Sequence, residues 1–154
     1  MKNFTIKIKK KILVLGSNPE TYDLIKTINN EGYLSYVIGM EKISKTKKIA
    51  YKSFVGDGSD YNYVKDIILK NNINAVMCGT VDVLLPNYEK ICTKFNFPRY
   101  TNAKSINFLL SKIKFNNLIK KYGFKTIPKY KLNLIKKAKL KKEAFPVLIK
   151  PDDS

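Results

Sequence analysis

Short apolar runs alternate with stretches in which apolar residues return every three or four positions, and this holds for about the first hundred residues. Lys11 to Leu15 (KILVL) is continuous and apolar, which predicts a strand buried on both faces of a parallel sheet. Tyr22, Ile25 and Ile28 then recur on one helical face, and Gly32 is a helix stop. Ser35 to Met40 predicts a second strand, and KSFVGDG a short third one ending at Asp57 and Gly58. The next helix carries Tyr63, Ile67 and Lys70 along one face, with Val64 and Ile68 beside them. Ile73 to Gly79 predicts a fourth strand, entered through the polar pair Asn71 and Asn72. A helix from Val83 to Phe95 follows, with Pro86 tolerable only in its first turn. Strands alternating with helices argue for a parallel sheet with crossover connections. The expected fold class is α/β, with an open parallel sheet over residues 1–100.

The pattern becomes irregular near Thr101, and a domain boundary is expected there, with 101–154 forming a second part. AKSINFLLSKIKFNNLIKKYGF predicts two short helices or one bent one, ending at Gly123. IPKYKL reads as strand-like, IKKAKLKKEA as a basic helix, and FPVLIKP as a final strand whose Pro146 sits where no ladder bond is lost. There is no internal repeat, low-complexity tract or Gly/Ser linker.

The turn after the first strand, GSNPE, opens a helix at the place where a Rossmann-like sheet holds a phosphate or carboxylate. Ser17 with Glu20 forms a capping box. Asn18 as the cap, with Pro19 at the first helical position, is an equal rival. One glycine stands where a dinucleotide fingerprint needs three, which argues against a nicotinamide or flavin. Ser17 and Asn18 are therefore a candidate substrate-anion site, against the plainer reading of a capped helix start. Asp57 and Asp82 fall at the carboxyl ends of strands. Asp82 equally suits a helix cap, and Asp57 a turn with Gly58.

Composition narrows the chemistry. The apolar fraction of 44% suits a folded domain, and no apolar run approaches the roughly 20 residues that span a bilayer. Histidine is absent, which removes histidine-based zinc sites and Ser-His or Cys-His dyads. Cys78 and Cys92 stand apart in apolar surroundings, as buried free thiols of a reducing cytoplasm would. The formal charge of +18 is spread over every segment, and Arg99 is the only arginine, so specific nucleic-acid readout is not expected.

The order of motifs says more than any one of them. KILVLGSNPE, INAVMCGTVDVLLP and FPRYTN are followed by a helix opening with Ser111 and Lys112, then YGFKTIPKY, a basic helix and FPVLIKP. From about Lys11 onward this resembles the ATP-grasp superfamily, as in biotin carboxylase and the large chain of carbamoyl-phosphate synthetase. The resemblance implies a Rossmann-like pre-ATP-grasp domain followed by the start of an α+β ATP-grasp domain. It implies an ATP-dependent carboxylate–amine ligase working through an acyl phosphate, with ATP and Mg²⁺ and a small carboxylate substrate. Lys112 would approach the ATP phosphates, with Ser111 in the place of the commoner aspartate. Lys150 would lie across the α- and β-phosphates. In the family the metal-binding acids and the glycine-rich lid come after the FPVLIKP strand. The chain is therefore expected to be truncated and non-catalytic alone, with a separate chain as a candidate source of the rest. A non-enzymatic Rossmann-like module binding a nucleotide or polyanion is the alternative.

Overall fold

The computed structural model describes residues 9–128, 130, 133 and 145–149. The chain divides into two compact units, Met1–Ala103 and Lys104–Ser154.

The first unit is α/β, with a four-stranded parallel sheet. Its strands are β1 (Lys11–Leu15), β2 (Leu34–Gly39), β3 (Lys52–Val55) and β4 (Ala75–Cys78), in the spatial order β3-β2-β1-β4. The register sets Ile12 against Ser35 on one side and Ala75 on the other, and Leu15 against Ile38 and Cys78. β1 is apolar from Ile12 to Leu15 because both of its faces are covered. Leu13 and Leu15 join one core with Tyr36, Ile38, Val76 and Tyr88. Val14 joins a second core with Val37, Ile25 and Ile28. The period-two alternation of side chains thus feeds two helical layers from a single strand.

Helix α1 (Tyr22–Asn30) covers the second core, together with a short α2 (Lys45–Ile49). Helices α3 (Tyr61–Asn71) and α4 (Leu85–Phe95) cover the first. Both α3 and α4 end on an asparagine in the left-handed region, Asn72 (φ 52°) and Asn96 (φ 53°). This is the backbone that a short amide side chain tolerates best after glycine.

Four local expectations change. The buried face of α3 is Val64, Ile67 and Ile68, while Tyr63 and Lys70 face solvent. Lys70 pairs there with Asp66, four residues earlier. The capping-box start is not the one used. Asn18 is the N-cap of a short 3₁₀ turn, Pro19–Thr21, with Pro19 at its head, so the rival start holds. Asp82 is not a cap either: extended Val81 precedes a 3₁₀ turn, Asp82–Leu84, and a cap must lie outside helical backbone. α2 was absent from the pattern because its buried members are Thr46 and Lys47.

In the second unit, α5 (Ala103–Leu109) and α6 (Lys112–Lys121) are two separate helices. Gly123 follows α6 with φ +79°. Residues 145–149 form no strand ladder, contrary to the FPVLIKP expectation, since a strand persists only where a partner completes its hydrogen bonds. Within IPKYKL, residues 127, 128 and 130 are likewise outside any strand. The remainder of that stretch, the basic helix expected at 135–144, and Lys150 to Ser154 lie outside the described residues.

Candidate functional site

The strand order places a topological switch between β1 and β4. From β1 the chain moves outward to β2 and β3, then returns to the other side of β1. In open α/β sheets the crevice outside the carboxyl ends of the strands at such a point is where ligands bind. The loops that leave β1, β2 and β4 therefore form the candidate site.

The β1 loop is held by its main chain. The Asn18 carbonyl accepts from the Thr21 nitrogen at 3.1 Å, the Thr21 hydroxyl at 2.6 Å and the Thr46 hydroxyl at 3.0 Å. The Asn18 Nδ2 donates to Glu20 and, at 2.9 Å, to Thr80 Oγ1, tying the β1 loop to the β4 loop. Its Oδ1 is buried and has no hydrogen-bond partner. Ser17 is buried, and its hydroxyl donates to Glu41 Oε2 at 2.5 Å. That hydrogen bond, the backbone N–H of Glu41 and the nearby Lys47 ammonium hold the Glu41 carboxyl below its usual range.

Lys47 anchors the β2 loop. Its ammonium donates to Gly39 O (3.0 Å), to Phe54 O (2.8 Å) and to Glu41 O. Burial pushes its pKa down, and Glu41 pulls it partly back. Glu41 and Lys47 escaped the sequence reading, because one lysine among so many carries no local mark. Ser44 was the usable signal. It caps α2 by accepting from the Lys47 nitrogen at 3.1 Å, serine being a favoured N-cap residue.

The β3 loop is a turn. Asp57 Oδ1 accepts from the Ser59 nitrogen at 2.8 Å, which holds its carboxyl low, and Asp60 caps α3. Asp82 is exposed in the β4 loop. Tyr100 closes the end of β4, donating from its hydroxyl to the Cys78 carbonyl at 3.3 Å and stacking on Tyr88 at 4.7 Å. Cys78 and Cys92 are buried free thiols.

Ser17 and Asn18 are therefore brought together with Glu41 and Thr80. Lys112 belongs to the second unit, as the first residue of α6 directly after its N-cap. Ser111 fills the cap position, accepting from the Lys114 nitrogen at 3.2 Å. Lys150 lies outside the described residues. Among the described residues no three acidic, cysteine or histidine side chains converge as a metal site would require, and no helix is long and apolar enough to cross a membrane.

No family model and no curated protein sequence matches the chain. Solved structures do. An L-amino acid ligase from Bacillus licheniformis superposes with a TM-score of 0.71 at 15% identity, over 95% of this chain and 38% of the ligase. N5-carboxyaminoimidazole synthetase from Staphylococcus aureus, solved with ADP, gives 0.66 at 16% identity over 86% of this chain and 36% of its own. Phosphoribosylglycinamide synthetase from Anaerococcus prevotii gives 0.65 at 20% identity, over 85% of this chain and 34% of its own. The likeness is one of fold. The chain spans a little over a third of the length of each.

Proposed function

We propose that this chain is the nucleotide-contacting N-terminal part of an ATP-dependent carboxylate–amine ligase of the ATP-grasp type. The observation that carries the reading is the reach of the fold likeness. It covers 95% of this chain on the Bacillus licheniformis ligase, which takes it past the first unit and into the second. A bare Rossmann-like sheet would match many unrelated proteins over the first unit alone. The motif order that resembles ATP-grasp proteins runs along the same stretch, and one of the matched synthetases was solved with ADP.

In this reading a carboxylate oxygen attacks the γ-phosphorus of ATP and ADP leaves. The amine then attacks the acyl phosphate, expelling phosphate and losing a proton. Lys112 and Lys150 supply point charges to the nucleotide phosphates, each worth about 1.5–3 kcal/mol, or roughly ten- to hundredfold in affinity. Bound Mg²⁺ would neutralise phosphate charge, but no described residues fit a site for it. Because the chain spans little more than a third of its structural neighbours, turnover is proposed for the longer architecture and ATP contact for this chain.

Calorimetric titration of the chain with ATP tests the proposal. Lys112→Ala and Lys150→Ala are each expected to weaken binding about tenfold or more, while Lys26→Ala leaves it unchanged. Equal, small losses for all three, with heparin binding as tightly as ATP, would replace the ligase reading with diffuse polyanion attraction.

A further inference from the structure

β3 is an outer strand of the sheet, and among the described residues only β2 pairs with it. In a parallel ladder successive residues turn their main-chain groups to opposite sides. The Gly56 nitrogen donates to Gly39 O at 3.0 Å, so Gly56 and Phe54 face β2, while Ser53 and Val55 face outward. An outward row of this kind is a template for another strand, and a second copy of the chain always brings the same edge with it. Val55 is 50% exposed, which adds apolar surface to the row.

One outward group is already taken. Tyr63, in the first turn of α3, donates from its hydroxyl to Val55 O at 3.1 Å. Its ring lies against Gly56, where a β-carbon would stand 2.8 Å from Cδ1 and 3.2 Å from Cζ, so only glycine leaves the ring this seat. We infer that Tyr63, seated on Gly56, is a built-in block on the β3 edge that keeps two copies of the chain from joining their sheets. Antiparallel pairing about a two-fold axis at Phe54 would exchange bonds between Ser53 of each copy and Val55 of the other. Every Ser53 N–H would then need a Val55 O, and Tyr63 holds that oxygen in both copies. Symmetry thus repeats the obstruction on each side of the axis. The same role accounts for a large aromatic side chain on the solvent side of α3, where the sheet core does not need it. The inference involves no nucleotide and stands apart from the ligase reading.

Sedimentation velocity of the full chain over a range of concentrations tests it. Tyr63→Phe keeps the ring on Gly56 and frees Val55 O, and it is expected to self-associate about tenfold more tightly than the parent. In that variant, amide exchange followed by ¹⁵N NMR should slow at Ser53 and Val55 as concentration rises. Adding Ser53→Pro removes an outward donor without touching a bond to β2, so the double variant should return to the parent's behaviour. Val55→Pro serves the same purpose if Ser53→Pro does not fold. Aggregation through unfolding would not be cured by a proline on the edge, which keeps the test decisive even if Tyr63→Phe lowers stability. Association of Tyr63→Phe no tighter than the parent's, or tighter association that survives a folded proline variant, would overturn the inference.

Discussion

A β-carbon placed on Gly39 would lie 1.9 Å from Ser17 Oγ and 3.1 Å from the Ser17 nitrogen. The last residue of β2 and the first turn after β1 are thus in direct contact, with backbone on both sides. Ser17 cannot swing away cheaply, since it is buried and bonded to Glu41. Gly39→Ala should therefore overpack the corner and cost about 1–3 kcal/mol. Urea denaturation reads this as a lower midpoint, and an unchanged midpoint would mean that the turn yields freely.

Lys47→Met keeps most of the side-chain volume and removes the charge. Gly39 O and Phe54 O would each lose a donor inside a nearly closed site. Gly39 O keeps the Gly56 N–H at 3.0 Å, so the loss is that of hydrogen bonds to a charged donor, about 1.5–3 kcal/mol. A variant as stable as the parent in chemical denaturation would show that water or a backbone shift replaces the ammonium.

Asp60 accepts from the Asn62 nitrogen at 2.9 Å and the Tyr63 nitrogen at 3.1 Å, satisfying two of the free donors at the head of α3. Asp60→Ala should cost about 1 kcal/mol, and Asp60→Asn much less, since asparagine caps nearly as well. Thermal melts of the pair check the order, which would be reversed or lost if charge rather than capping mattered.

Burial raises the Cys78 thiol to about 11 from an ordinary 9.0. The folded state therefore keeps its proton after the unfolded chain has lost it. The contribution of this thiol is complete below pH 9, shrinks as pH rises beyond it, and is gone above about 11. Denaturation curves between pH 8 and 11 should show a decline that Cys78→Ala makes shallower. Thiolate absorbance at 240 nm appearing near pH 9 in the folded chain would contradict this.

The legible parts of the fold were those in which one physical rule spoke alone. Ile12 to Leu15 is apolar without interruption, and it belongs to the strand covered on both faces. Pro86 could stand only in a first turn, and α4 begins one residue before it. The α3 face was misread because Tyr63 and Lys70 share a helical phase with Ile67, and phase alone does not tell which neighbouring stripe meets the sheet. α2 was invisible for a stronger reason. Its inward residues are Thr46 and Lys47, and each is admitted to the interior by hydrogen bonds to carbonyls that are distant in sequence or supplied by another strand. Of the candidate site, Ser17 and Asn18 could be found from their position after a strand. Glu41 could not, because its meeting with Ser17 depends on the register of β2 against β1.

The central place of β1 bears on how the chain is born. Its partner β2 follows within about twenty residues, but Ile12 pairs on its other side with Ala75. At about 5–20 residues per second, a ribosome needs roughly 3–12 s to release the intervening sixty or so residues. During that interval one edge of the most apolar strand has only solvent or a chaperone to meet. A nascent chain stalled before β4 should be the form of this protein most prone to aggregate, whatever the stability of the finished sheet.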